Sequence, residues 1–153
     1  MDIRIFSHQS LEEFLSQNRG IYDAVLITNS DVGFLPFVAT YAREYLHLQF
    51  DDIECDLPPF VSPSKPAIGK ALAWSKGRER LAVACHAGIS RSSAVAYVIA
   101  CSQMPPEQAI KILRPGCHMP NELIVSLGSA ILENTQVETA FRNWKNQLFG
   151  FPE

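Results

Sequence analysis

Residues 81–100 constrain the fold of this chain more than any other stretch. A short apolar run, Leu81-Ala82-Val83-Ala84, leads into Cys85-His86-Ala87-Gly88-Ile89-Ser90-Arg91-Ser92-Ser93, and Ala94-Val95-Ala96-Tyr97-Val98-Ile99-Ala100 follows. The first run has the length and character of a buried strand, and the last that of a helix apolar almost all round. A strand, a tight loop and a helix start in that order build an anion site. The loop N–H groups and the positive end of the helix dipole converge on one point. Cys85 at the strand end and Arg91 in the first helical turn would both border that point. Gly88 stands mid-loop, where a positive φ or a side-chain-free approach to a ligand is needed.

The rest of the chain supplies the layers around this unit. Strand patterns are read at residues 3–6, 22–28, 46–50 and 81–85, the second buried on both faces. Ser10-Leu11-Glu12-Glu13 reads as a capping box that opens a helix stopping near Gly20. Another helix is expected from about Phe34, with Phe34, Phe37, Val38, Tyr41 and Tyr45 on one face and Pro36 in its first turn. Residues 51–63 are too rich in proline to be regular and too apolar to be a disordered linker, so they form an ordered surface loop of the kind that carries function. Further helices run from about Ser64 through Trp74, from Pro106 to the stop at Pro115-Gly116, from Pro120-Asn121 onward, and over residues 137–148. Strands alternating with helices, then helices alone, predict an α/β fold with a central parallel sheet of about four strands and helices on both faces. Sites of such sheets lie beyond the carboxyl ends of the strands, where Cys85 falls.

The totals exclude several function classes. The 153 residues, 47% apolar and 19% charged, suit one domain over 1–153 with a real core. A net charge of −3 without a basic stripe argues against nucleic acid as a partner. Met1-Asp2-Ile3-Arg4 is no signal peptide, and no apolar run reaches membrane-spanning length, so no membrane partner is expected. Four cysteines in a chain of this length do not read as a disulfide framework. A reducing compartment and a cytoplasmic location follow.

Cys85 is the candidate nucleophile. A free thiol is mostly protonated at neutral pH, and a helix N-terminus, loop amides and a neighbouring arginine favour its anion. A small buried hydrophobe at a strand end is the bland alternative, and it suffices for Cys55, Cys101 and Cys117. The planar fork of Arg91 suits two phosphate oxygens, whereas a cation at a helix start opposes the dipole unless an anion is bound. The amides of His86, Ala87, Gly88, Ile89 and Ser90 would complete a phosphate cradle. The His86 side chain lines its entrance or is exposed. His8, His47 and His118 are too scattered to bind a metal, and neither metal nor cofactor is expected.

Cys85-x-x-Gly88-x-x-Arg91-Ser92 resembles the signature loop of the protein tyrosine phosphatase superfamily, and Ala87-Gly88-Ile89-Ser90-Arg91-Ser92 is closest to its compact dual-specificity-like branch. The resemblance covers residues 22–131. It implies a phosphomonoester hydrolase working through a phosphocysteine intermediate, with Ser92 donating its hydroxyl toward the cysteine sulfur. It also implies an aspartate on a mobile loop before the cysteine as general acid. Asp52 is the choice, Asp51 the second and Asp56 a distant third. Ala84 departs from the pattern, since the family usually carries histidine there. Pro120-Asn121 resembles a pair that opens a late helix in that branch, although a helix start alone accounts for it.

Phosphotyrosine is the default substrate, because the loop interior lacks the lysines expected for inositol phosphates; phosphoserine and phosphothreonine depend on pocket depth. The partners implied are a phosphorylated protein or a small phosphomonoester, with phosphate, sulfate or vanadate able to occupy the site. Two rivals remain: a phosphoresidue-binding module with little turnover, and a sulfurtransferase or arsenate reductase, which share the Cys-x5-Arg spacing.

Overall fold

The computed structural model describes residues 1–150, so the last three residues of the expected 1–153 domain lie outside the described residues. Four strands, β1 (Asp2–Ser7), β2 (Asp23–Thr28), β3 (Tyr45–Gln49) and β4 (Arg80–Cys85), alternate with α1 (His8–Gln17), α2 (Pro36–Tyr41) and α3 (Lys65–Ser75). The second half is helical: α4 (Arg91–Cys101), α5 (Pro106–Ala109) with a 3-10 turn over Ile110–Ile112, α6 (Glu122–Leu132) and α7 (Gln136–Leu148). The sheet is wholly parallel, in the order β1-β4-β2-β3. This is the α/β architecture expected from the alternation.

Strand pleating divides the core into two layers. Val25, Ile27, Leu81, Val83 and Cys85 face α3, α4 and α6, and Ala24, Leu26, Ala82 and Ala84 face α1 and α2. A central parallel strand therefore reads as one continuous apolar run. Every residue of α4 is buried, as its lack of a polar face requires. Gly128 brings α6 against α4, where an added Cβ would lie 2.5 Å from the Val98 methyls. Tyr97 donates to Val137 O (2.7 Å) and ties α4 to α7.

Two helix boundaries differ from expectation. The cap of α1 is Ser7 rather than Ser10: its side chain accepts from Ser10 N at 3.1 Å, and Glu13 stays exposed. Here β1 runs straight into α1, so the serine at the strand end meets the first free amides. Tyr45 belongs to β3 and not to α2, which spans only six residues. The chain leaves α2 at Ala42 to return beside β2, where Arg43 N donates to Tyr22 O (2.9 Å) and its guanidinium pairs with the buried Asp23. Burial opposes ionisation of Asp23, but Arg43 and Arg78 outweigh it and hold its carboxyl below the usual range.

The four cysteines are free thiols, Cys101 and Cys85 buried, Cys55 and Cys117 exposed. Burial pushes the Cys101 thiol up to about 11. No helix among the described residues is long and apolar enough to cross a membrane.

Candidate active site

All four strands deliver residues to one end of the sheet. Ser7 closes β1 and His8 follows it, Cys85 closes β4, Asn29 and Ser30 follow β2, and Phe50, Asp51 and Asp52 follow β3. Above these carboxyl ends lies a cavity of about 480 Å³. It is lined by the expected Cys85, His86, Ala87, Ile89, Ser90, Arg91, Asp51 and Asp52, joined by Asn29, Ile53 and Phe60.

The loop between β4 and α4 is held from outside by its carbonyls. His86 O accepts from His8 N (3.3 Å), Ile89 O from Met119 N (3.0 Å), and Ser90 O from Asn121 N (3.1 Å). None of the N–H groups of residues 86–90 donates to another described residue. With three of its carbonyls engaged outside, the loop keeps these amides without a partner among the described residues, as an anion nest requires. Gly88 adopts φ +72°, the left-handed conformation expected of it. Its side-chain-free contact is with β1 rather than with a ligand: an added Cβ would lie 2.5 Å from Ser7 N and 2.8 Å from Phe6 C. The end of β1 is thus the floor on which the loop rests.

Cys85 is buried, and its Sγ is hydrogen-bonded to Ser92 Oγ across 3.1 Å. Ala84 lies in the opposite core layer beneath α1, with no exposed surface. On the loop side the imidazoles of His8 and His86 meet edge to face at 5.9 Å. Burial holds His8 below its ordinary range, and its Nε2–H donates to Ile27 O (2.7 Å).

Arg91 is 5% exposed. One terminal nitrogen donates to Asn29 Oδ1 (2.7 Å) and to Phe50 O (2.8 Å). Its Nε is buried with no partner. Buried polar groups are almost always satisfied, so a buried guanidinium N–H left open beside a ring of open amides marks a place for an acceptor. An anion is the acceptor whose chemistry would suit that place, since its oxygens could meet the guanidinium edge.

The aspartates separate by environment. Asp51 accepts from Ser30 N (3.0 Å) with one oxygen and from Ser30 Oγ (2.6 Å) and Val61 N (2.8 Å) with the other. The Ser30 hydroxyl and the Val61 amide hold its carboxyl below the ordinary 3.8. Asp51 is therefore a strut that fastens residues 50–61 to the end of β2. Asp52, which lines the same cavity, is exposed instead, its Oδ1 accepting from Ser90 Oγ (2.8 Å) and Asn121 Nδ2 (3.0 Å). Asp56 is exposed and outside the cavity lining.

Asp51→Asn replaces an acceptor that faces two donors with an amide, and the expected cost is about 2 kcal/mol. For a chain of this size that lowers Tm by about 4–8 °C in thermal denaturation at pH 7. Because its folded pKa is depressed, the Asp51 contribution is complete above 3.8 and fades as pH falls through the lower folded value. The wild-type advantage should therefore shrink at pH 3.

Sequence reasoning missed Asn29 and the bridging part of Asn121. Asn29 could have been found, because it follows the end of a parallel strand as Cys85 does. Nothing in the sequence distinguishes the second role of Asn121 from helix capping.

No protein-family model and no curated protein matches the sequence. Solved structures do. The human tyrosine phosphatase-like serine/threonine/tyrosine-interacting protein is similar at 19% identity and TM-score 0.57, over 82% of this chain and 83% of that one. The PTP-2 phosphatase of Cydia pomonella is similar at 21% identity and TM-score 0.56, over 85% of each chain. Human DUSP28 is similar at 17% identity and TM-score 0.55, over 95% of this chain and 94% of that one. The element order, the parallel sheet and these likenesses agree: the chain has the fold of the compact tyrosine and dual-specificity phosphatases.

Proposed function

We propose that the chain is a cysteine-dependent phosphomonoester hydrolase with phosphotyrosine as its principal substrate. The observation that carries this reading is Arg91, whose buried Nε has no partner, in the lining of the same cavity as Cys85 and loop residues whose N–H groups make no hydrogen bond to a described residue. Phe60 and Ile89, 53% and 46% exposed, border the cavity and suit an aryl ring more than a bare phosphoserine. The partner implied is a phosphorylated protein or a small aryl phosphomonoester. A thiolate nucleophile needs a reducing compartment, for which the cytoplasm is our assignment.

The residues divide the reaction into two displacements, and neither draws on a metal. In the first, Cys85 Sγ attacks phosphorus, forming the S–P bond as the ester P–O bond breaks. Arg91 and the amides of residues 86–90 hold the three equatorial oxygens as charge spreads over them. Asp52 gives its proton to the departing oxygen. In the second, the Asp52 carboxylate takes a proton from water, whose oxygen attacks phosphorus. Inorganic phosphate leaves, and the sulfur departs as thiolate while Ser92 donates its hydroxyl to it.

The test is steady-state hydrolysis of an aryl phosphate by chelator-treated protein, with vanadate as inhibitor. Wild type should turn over, and Asp52→Ala should lower kcat for phosphotyrosine on the order of 10²-fold. Tight binding of a phosphopeptide by a wild type that does not hydrolyse it would instead identify a phosphoresidue reader. An unchanged rate in Asp52→Ala would remove the acid role from this residue.

A further inference from the structure

Capping α6 uses only one side-chain atom of Asn121: Oδ1 accepts from Ile124 N at 3.1 Å. Serine, threonine or aspartate would cap as well. The side-chain nitrogen and the backbone N–H of Asn121 are engaged outside α6, and the residue is 1% exposed. Its Nδ2 donates both hydrogens, to Asp52 Oδ1 (3.0 Å) and to Ile53 O (3.1 Å), and its backbone N–H donates to Ser90 O (3.1 Å). Among side chains short enough to cap a helix, only asparagine offers one acceptor and two donors together. Its neighbours repeat the pattern on either side. Met119 N holds Ile89 O, and Glu122 N holds Glu54 Oε1 at 3.1 Å. The helix start behind them is fixed, because α6 packs on α4 through Gly128.

We propose that Asn121 is the positioning residue of the acid loop: it clamps Asp52 and Ile53 to the phosphate loop and fixes which carboxyl oxygen of Asp52 faces the leaving group. The proposal rests on the phosphatase reading for its purpose, and on the bridge for its geometry. With Oδ1 taken by Asn121 and Ser90, Oδ2 makes no hydrogen bond to a described residue and is the oxygen left to carry the transferable proton. Asn121 does not itself touch the reacting atoms.

The charged and titratable groups around Asp52 set the expected direction. Asp51 and Glu54 lie on its own loop; Cys85, His86 and Arg91 lie across the cavity; Glu122, paired with Lys145, lies on the α6 side. Asn121→Asp keeps the helix cap, removes both donors and sets a second carboxylate against Asp52. Two carboxylates in such contact cannot both ionise freely, so protonated Asp52 is favoured.

The decisive experiment is a carboxyl carbon-13 NMR titration of the full chain. The Asp52 midpoint should rise by about one unit or more in Asn121→Asp. An unmoved midpoint would overturn the proposal. Asn121→Ser, which also keeps the cap but cannot reach Asp52, serves for kinetics on aryl phosphates of graded leaving-group acidity. Its rate should fall about tenfold more for poor leaving groups than for good ones, because only the former need the proton. A loss uniform across leaving groups would reduce Asn121 to a cap. A wild type that hydrolyses no aryl phosphate while the Asp52 midpoint still rises would sink the phosphatase reading and leave the clamp standing.

Discussion

Cys85→Ser should lower turnover of phosphotyrosine by more than about 10⁴-fold while leaving phosphate binding intact. The two halves of this result have separate causes. A hydroxyl at the end of β4 stays protonated at neutral pH, so the bond to phosphorus does not form. In the proposed mechanism the atoms that hold the phosphoryl oxygens belong to Arg91 and the loop backbone, and the substitution leaves them in place. The hydroxyl is smaller than the thiol and keeps a partner in Ser92, whose Oγ lies 3.1 Å from Sγ. Phosphate affinity should therefore hold. Single-turnover kinetics reads the first half, and calorimetric titration with a phosphotyrosine peptide reads the second. A variant that keeps its rate within tenfold would place the nucleophile elsewhere. A folded variant that loses phosphopeptide affinity would mean that the loop does not form the cradle described above.

How much of this was legible beforehand depends on whether the determining contact is local. The strand, loop and helix around Cys85 were legible because each follows from its own residues: a continuous apolar run, a glycine at positive φ, and a helix with no polar face. The four parallel strands followed from alternation. Asp51 and Asp52 could not be ranked by any physical property of the sequence, since they are adjacent and chemically identical. What separates them is Ser30 and Val61 on one side and Ser90 and Asn121 on the other, contacts that span 10 to 69 positions. Gly88 shows the same limit in milder form. Its conformation was foreseen, but the atoms that forbid a side chain belong to β1, at the far end of the chain. The misplaced helix ends have two sources, a capping pattern at Ser10 and an apolar i, i+4 spacing at Tyr45; both recur along a chain, and the sheet chooses among them.

Arg91→Lys should cost about 10³-fold or more in kcat/KM, although the charge is kept. Losing one preorganised donor to a developing charge costs about 10²–10³-fold. Here the substitution removes both N–H groups of the guanidinium edge. The arginine is also braced: one terminal nitrogen is fixed by Asn29 and by Phe50 O, which leaves Nε and the other terminal nitrogen to meet two phosphoryl oxygens in one plane. A lysine ammonium is a single point. If it satisfies Asn29 and Phe50 O, it is drawn away from the phosphoryl group; if it turns to the phosphoryl group, it leaves two buried acceptors unpaired. Either way stabilisation of the transferring oxygens is lost beyond what KM alone reports, so kcat should fall as well as KM rise. A loss confined to KM would mean that Arg91 binds the ground state and the travelling phosphoryl group equally, and the cradle would then be a holding site more than a catalytic one. Asn29→Ala gives the companion measurement. It leaves the guanidinium but removes its brace, and it should lower kcat in the same direction by a smaller factor, which a role for Asn29 in folding alone would not produce.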